Sequence, residues 1–217
     1  AVVGVGGQTP NNLAMKLAKA GVTLIGAGAE SIDRAEDRSK FSALLDHLNI
    51  PQPRWSKFTK MDDVKFFARK IGYPVLVRPS YVLSGSAMRV AHDEEELEGY
   101  LRLAARFSAE HPVVISEFME DAREVEVDGV SDGEDVLIGA VIEHVENAGV
   151  HSGDATMSIP TQTLPQKTVE TIREYTRSIM RALSARSSFN IQYLVKNGTV
   201  YVIECNLRAS RSFPYTS

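Results

Sequence analysis

The stretch that most constrains this chain is NIQYLVKNGTVYVIECN, Asn190–Asn206: two runs rich in β-branched and aromatic residues on either side of Asn197-Gly198. That is the pattern of a β-hairpin. The second run ends in Glu204 and Asn206, and Arg208 follows at the same spacing. Successive strand residues point to opposite faces, so these three share one face. Two registers compete. A two-residue type I′ turn pairs Lys196 with Thr199 and sets Gln192 on the face opposite Glu204. A three-residue loop, Lys196-Asn197-Gly198, pairs Val195 with Thr199. It collects Asn190, Gln192, Glu204 and Asn206 on one face and Ile191, Tyr193, Val195, Tyr201, Ile203 and Cys205 on the other. A one-residue slip would mix the two sets and bury the acid. We therefore expect the three-residue loop. Gln192 then faces Val202, with Glu204 as its diagonal neighbour, roughly 7–8 Å away between Cα atoms. A carboxylate and two amides within reach of one point suit a hard divalent cation, Mg²⁺ or Mn²⁺, with phosphate oxygens and water completing its shell.

Composition narrows the class. Of 217 residues, 43% are apolar and 24% charged, as in a globular protein. The net charge is -4 and no long basic run occurs, so a nucleic-acid partner is not expected. No apolar run approaches the ~20 residues of a membrane span. The single cysteine, Cys205, excludes an internal disulfide and a cysteine-based metal cluster. It suits a reducing compartment, so an intracellular location, cytoplasmic or mitochondrial, is expected. The ends, AVVGVGG and FPYTS, look cut from a longer protein.

AVVGVGGQTPNNLAMKLAKAGVTLIG reads as strand, tight turn, helix and strand, one β-α-β unit of a parallel sheet. Thr9 is the expected N-cap and Pro10 the first helical residue. Ser31 is expected to cap one helix running to Leu48, with an apolar stripe of Ile32, Ala35, Phe41, Leu44, Leu45 and Leu48. Pro51 and Pro53 mark a boundary. Beyond them the pattern predicts helices near 61–71, 93–110 and 166–183. Strands are predicted near 74–78, 87–92, 113–118, 124–131, 136–146, 190–196 and 199–206. The fold class is α+β. Cys205, on the apolar face, is a core residue rather than a nucleophile.

These motifs in this order resemble an ATP-grasp domain, and more closely the large chain of carbamoyl phosphate synthetase. The resemblance rests on GGQTPNNLA, IDRAEDRSKF, IGYPVLVRPSYVLSGSAM, EVEVD, EHVENAGVHSGD and ECNLRASRSFPY, and it covers essentially the whole chain. RPSYVLSGSAMRV and ENAGVHSGDATMSIP are more similar to the second of that chain's two synthetase halves, the one that phosphorylates carbamate. SGSAM and ECNLRASRS look like eukaryotic members. Ser84 stands where bacterial relatives tend to carry glycine.

The resemblance implies two α+β subdomains clasping ATP, preceded by part of a Rossmann-like domain. Residues 1–30 would end that first domain. Residues 31–217 would be the ATP-grasp domain, with a small lid subdomain at about 55–118 and a truncated C-terminal end. It implies metal ligation by Gln192, Glu204 and Asn206, and contact of Arg208 and Arg211 with the substrate and the transferring phosphoryl group. Arg38 and Arg78 would meet the ATP phosphates. Arg78 ends the apolar strand PVLVR, where an unpaired buried guanidinium would be costly. Ser84 and Gly85 would belong to a flap over the phosphates, and Glu117 and Met119 to the adenine-binding strand. Glu124 would accept from the ribose hydroxyls, although three alternating acids, Glu124, Glu126 and Asp128, also fit a plain solvated face. Gly149, Val150, His151 and Ser152 would line the nucleotide pocket. Glu143, Glu146 and Ser152 would be the place for a potassium ion.

The implied reaction is attack of carbamate on the γ-phosphorus of ATP, giving carbamoyl phosphate and ADP, in pyrimidine or arginine synthesis or the urea cycle. The implied partners are the remaining domains of a synthetase and a glutaminase. The piece by itself is expected to be poorly active. Two other readings stay open: another ATP-grasp ligase, biotin carboxylase-like, which normally has lysine where Arg78 stands, and a nucleotide-binding module without turnover.

Overall fold

The computed structural model describes residues 1–79, 88–107, 113–149 and 155–216. They fall into two compact units. Ala1–Gln52 joins Asp121–Ser217 in the first, and Pro53–Glu120 forms the second. The chain passes from one to the other between Gln52 and Pro53 and back between Glu120 and Asp121.

In the first unit, the alternating runs build one antiparallel sheet. Its strands are β5 (Arg123–Asp132), β6 (Val136–Asn147), β7 (Met157–Ser158), β8 (Arg186–Lys196) and β9 (Thr199–Asn206), in the order β7-β6-β5-β8-β9; β1 to β4 belong to the second unit. One face carries Val125, Val127, Val141, Phe189, Ile191 and Tyr193. It packs against α6 (Gln166–Leu183) through Val169, Ile172, Ile179, Met180 and Leu183. Full burial of each such side chain contributes about 1.5–3 kcal/mol. Tyr193 is wholly buried, and its hydroxyl is satisfied by Thr176 Oγ1 at 2.7 Å. The front of the chain shares this core through Val3, Ala14, Ala27, Ile32, Phe41 and Leu45.

Two expectations for that front segment need correction. The predicted β-α-β unit is reduced to α1 (Gln8–Lys19) and a single parallel bridge, Val2 to Ile25. The helix begins at Gln8, with Gly7 as N-cap at φ 73°. Thr9 and Pro10 are therefore inside the first turn, where proline is tolerated because those N–H groups have no intrahelical acceptor. The single helix from Ser31 to Leu48 is two: α2 (Ala29–Glu36) and α3 (Arg38–His47). Asp37 separates them in an extended conformation, and its carboxylate accepts the Lys40 N–H at 2.9 Å, a strong N-cap. Ser31 lies within α2 and donates its hydroxyl to Leu183 O at the end of α6.

The hairpin register also differs. Lys196 pairs with Thr199, Val195 with Val200 and Tyr193 with Val202, so the turn is the two-residue one. Asn197 (φ 51°) and Gly198 (φ 78°) are both left-handed, as a type I′ turn requires. The ladder then slips by one: Gln192 pairs with Glu204, Ile191 with Cys205 and Asn190 with Asn206. Ile203 is the extra residue of a β-bulge. The bulge inverts the alternation along β9. Val200 and Val202 join the core where Tyr201 and Ile203 were expected, and Cys205 joins it further on. Backbone groups of β9, the edge strand, are bonded outside the sheet: Ile203 O accepts from Arg38 Nη1 at 2.6 Å, and Val202 N–H donates to Pro51 O at 2.9 Å. Face sorting was the right criterion, but a bulge satisfies it rather than a longer loop.

The second unit is a four-stranded antiparallel sheet, order β1-β4-β2-β3, of β1 (Trp55–Phe58), β2 (Val75–Pro79), β3 (Arg89–Ala91) and β4 (Val113–Glu117). Its core joins Val75, Val77, Ala91 and Ile115 to α4 (Met61–Ile71) and α5 (Glu94–Phe107) through Val64, Ala68, Leu97 and Leu101. Asp93 accepts the Glu96 N–H at 2.8 Å while Glu96 accepts the His92 N–H at 2.9 Å, a reciprocal cap that starts α5.

Close approach fixes one glycine in the first sheet. β5 slips register between Asp128 and Gly129, and a Cβ built on Gly129 would lie 2.4 Å from Leu137 O and 2.5 Å from Phe189 Cζ. Phe189 is wholly buried and cannot retreat. Gly129→Ala should destabilise the first unit by about 1–3 kcal/mol, read as a lower urea midpoint of the chain. An unchanged midpoint would contradict this packing.

Candidate functional site

The sheet face opposite α6 carries the polar residues. Register alone places them in two rows across β5, β8 and β9. Glu126 pairs with Gln192, which pairs with Glu204; Asp128 pairs with Asn190, which pairs with Asn206. The bulge at Ile203 keeps the β9 members in these rows. Hydrogen bonds tie the rows together. Asn190 Nδ2 donates to Glu126 Oε2 (2.9 Å) and Asp128 Oδ1 (3.0 Å). Gln192 Nε2 donates to Glu126 Oε1 at 3.4 Å, and Asn206 Nδ2 to Glu204 Oε1 at 3.0 Å. Each amide thus turns its NH₂ toward a carboxylate. The oxygens of Gln192, Glu204 and Asn206 are the hard donors that a divalent cation prefers, with Asn206 Oδ1 also accepting from Arg208 Nη2 at 3.4 Å. The three expected ligands are therefore together, with Gln192 directly opposite Glu204 rather than diagonal to it.

Arg208 sits at the end of the Asn206 row. Its Nη2 donates to Asn206 Oδ1 at 3.4 Å and its Nε to Gln8 Oε1 at 3.2 Å. Arg211 is exposed. Arg38 is half-buried against the β9 bulge through the bond to Ile203 O. In the second unit, Arg78 is exposed on the side of β2 opposite Val75 and Val77, so the expectation of a buried guanidinium is corrected. Glu117 Oε2 pairs with Arg54 Nε at 2.9 Å, and Met119 is buried. Ser84, Gly85, Val150, His151 and Ser152 lie outside the described residues.

Glu143 and Glu146 engage different segments. Glu143 accepts from the Gln162 and Thr163 N–H groups (2.8 and 2.9 Å) and from the Thr163 hydroxyl. Glu146 accepts from Thr156 N–H (2.7 Å) and Oγ1 (3.0 Å). Burial raises the pKa of Glu143, but the Thr163 and Gln162 donors and the Arg123 charge outweigh it, and its carboxyl is held below the usual range.

The alternating acids of β5 are not solvated. Glu124, Glu126 and Asp128 are 8%, 3% and 0% exposed. Sequence reasoning missed how this is tolerated. The β5–β6 ladder jumps from Arg123–Asn147 to Val125–Glu143, so three β6 residues stand against Glu124. His144, 1% exposed, is one of them, and its Nε2 lies 3.2 Å from Glu126 Oε1. Glu124, Glu126 and His144 offer ligand atoms within 4.8 Å of one another. Burial pushes Glu124 up, with His144 opposing and Glu126 and Glu204 adding to the rise; the Gly149 N–H is bonded to it. The only advance sign was EVEVD itself, acids interleaved with valines, which fits a half-solvated strand equally well.

Burial lowers the His144 pKa, but the bond to Glu126 and the charges of Glu124, Glu126 and Glu146 outweigh it, and the imidazole is raised above 6.5. The stabilisation from a protonated His144 is complete below the unfolded value, about 6.5, and is lost as pH rises through the folded one. An NMR titration of the His144 ring should therefore give a midpoint above about 6.5, and Glu126→Gln should bring it down. A midpoint that stays put in Glu126→Gln would show that Glu126 does not hold the proton.

Comparison with known proteins places this geometry. The family described as "Carbamoyl-phosphate synthase L chain, ATP binding domain" matches residues 37–217. The chain is 53% identical over 213 residues to "Multifunctional protein pyr-3" of Neurospora crassa, covering 98% of this chain and 12% of that protein. It is also 53% identical over 216 residues to "Carbamoyl phosphate synthase large chain, C-terminal section" of Methanocaldococcus jannaschii, covering all of this chain and 35% of that one. It thus spans only a minor part of the relatives it matches. Among solved structures, the biotin carboxylase–beta-gamma-ATP complex from Campylobacter jejuni superposes with a TM-score of 0.83 over 99% of this chain and 50% of that one. At 21% identity that likeness shows the fold, which is the ATP-grasp fold. With fungal and archaeal relatives at 53% identity along its whole length, the chain belongs to the carbamoyl-phosphate synthase large-chain ATP-binding domain family.

Proposed function

We propose that this domain transfers the γ-phosphoryl group of ATP to carbamate, as the second synthetase unit of a carbamoyl phosphate synthetase. The observation that carries the reading is the pair of polar rows, Glu126–Gln192–Glu204 and Asp128–Asn190–Asn206, ending at Arg208. Whole-length similarity to a large chain's C-terminal section supports the choice of the second unit. A biotin carboxylase-like ligase has only the fold in its favour.

Gln192 Oε1, a Glu204 carboxylate oxygen and Asn206 Oδ1 would hold Mg²⁺ or Mn²⁺. A divalent ion bound there would neutralise charge on the β- and γ-phosphates and fix their orientation. Gln192 and Asn206 are held with their NH₂ groups toward carboxylates, so their oxygens are set without further rearrangement. Arg208, fixed by Gln8 and Asn206, brings a permanent cation to the carbamate and the transferring phosphoryl group. Arg78 would add a guanidinium to the phosphates, and Glu124 would accept from the ribose. Arg38, whose guanidinium braces the β9 bulge, would act on the phosphates through that bulge as well as by charge. Glu117, Met119 and Gly149 would border the base and sugar. Potassium at Glu143 and Glu146 would share carboxylates that already accept from Thr163 and Thr156.

The carbamate oxygen attacks phosphorus in line. The new O–P bond forms as the bond to the β-phosphate oxygen breaks, and ADP leaves. Positioning and charge neutralisation suffice, and no protein nucleophile is needed. Cys205 is unsuited to that role: it is buried, and burial pushes its thiol far up, so it stays protonated.

The test is Glu204→Gln in the complete synthetase, assayed for carbamoyl phosphate formation and, in reverse, for ATP formed from carbamoyl phosphate and ADP. Both should fall at least about 10²-fold, the usual effect of removing one preorganised charge-stabilising group. Full activity in both directions would end this reading.

A further inference from the structure

We propose that Asp128 is the positioning residue for the arginine segment Arg208–Ser212, acting through Ser210 and Ser212. The inference rests on the reading that Arg208, assisted by Arg211, serves the phosphoryl transfer.

Asp128 is 0% exposed, and no arginine, lysine or histidine pairs with it among the described residues. A buried carboxylate without a countercharge is expensive, and an apolar side chain would serve the core better. Its hydrogen bonds show what it is kept for. Oδ1 accepts from Asn190 Nδ2 at 3.0 Å, within the polar rows of the site. Oδ2 accepts from Ser210 Oγ at 2.8 Å and Ser212 Oγ at 2.6 Å, across 82 and 84 residues of sequence. The two serines lie 2.9 Å apart, and Ser210 Oγ also accepts the Phe213 N–H at 3.1 Å. One carboxylate therefore ties the rigid β5–β8 ladder to the irregular chain that follows β9.

That chain has a second anchor on its other side. Leu207 is wholly buried and its carbonyl accepts from Ser187 Oγ at 3.2 Å, while the Ala209 N–H donates to Gly4 O at 2.9 Å. Arg208 stands between the Leu207 and Ala209 anchors, and Arg211 between the two serines. Loss of the serine tether would release Arg211, between the two serines, and leave Arg208 held only by the Leu207 and Ala209 anchors. A displacement of about 1 Å in a positioning group can cost ~10²-fold in rate.

Two variants test this in the complete synthetase. Asp128→Asn keeps the shape and removes the charge, and the double Ser210→Ala/Ser212→Ala variant leaves Asp128 in place. Each should lower kcat for carbamoyl phosphate about 10–100-fold, as expected of a group that orients a functional one, with KM for ATP unchanged. Combining them should add little, because both cut the same tether. Hydrogen exchange in this chain gives a readout independent of turnover: Asp128→Asn should speed exchange at the 210–213 amides and leave those of Ala209, β5 and β8 protected. Unchanged exchange at 210–213 overturns the tether. Faster exchange with unaltered kcat, alongside an inactive Arg208→Ala control, overturns the positioning role. An Arg208→Ala enzyme with full activity removes the functional reading itself, and this inference with it.

Discussion

The extra residue in β9 is the constraint on which the site depends. A regular hairpin closed by a type I′ turn at Asn197-Gly198 would place Glu204 and Asn206 on the same face as Val200 and Val202, which are core residues. The acid would then enter the apolar layer against α6. The bulge at Ile203 lets the turn keep its preferred geometry and the core keep its valines, while the end of the strand is inverted. As the edge strand, β9 leaves backbone groups outside the ladder, and these must be bonded. Arg38 takes the Ile203 carbonyl, and Pro51 receives the Val202 N–H. Arg38 comes from the first turn of α3, and Asp37 caps that helix. The start of a helix 165 residues away in sequence is thus part of what keeps Glu204 facing its site.

The polar face answers a second demand, burial of three acids on one strand. Two different solutions operate along β5. Glu126 has an imidazole, His144, delivered by the irregular β5–β6 pairing. Among the described residues, Asp128 has neutral donors alone, an amide and two hydroxyls. Asn190 bonds both carboxylates through one NH₂ group and so spans the two solutions. Every element of the first sheet except β7 contributes to this network, so a change at one carboxylate is felt at its neighbours.

Much of the fold was legible because it follows from period and punctuation. Helices at Met61–Ile71 and Gln166–Leu183 and the strand Thr199–Asn206 fall where hydrophobic spacing placed them. What failed was competition between near-equal local choices. Asp37 splits a helix that the apolar stripe alone would run through to Leu48, because a capping carboxylate within a helical pattern looks like any other charge. The front strands shrink to one bridge because pairing needs neighbours as well as propensity. In the site, the face shared by Gln192, Glu204 and Asn206 was readable from sorting alone, whereas the bulge that produces it was not. A bulge is a compromise between turn and core, and neither states it separately. His144 and the serine pair were hidden for the same reason: they reach the acids of β5 only through tertiary register.

Four points in the fold share a physical pattern. At each, a backbone irregularity lets two local preferences both be met: Asp37 between helices, Ile203 in β9, the β5–β6 slip at Glu124 and the slip at Gly129 beside Asp128. Three of the four lie next to a polar group of the site. A regular sheet offers strict alternation, which suits one apolar face and one wet face. A buried polar face that must aim carboxylates, amides and a guanidinium at common points needs departures from alternation. The irregularities of β5, β6 and β9 are therefore the means by which a two-faced sheet carries a core on one side and a site on the other.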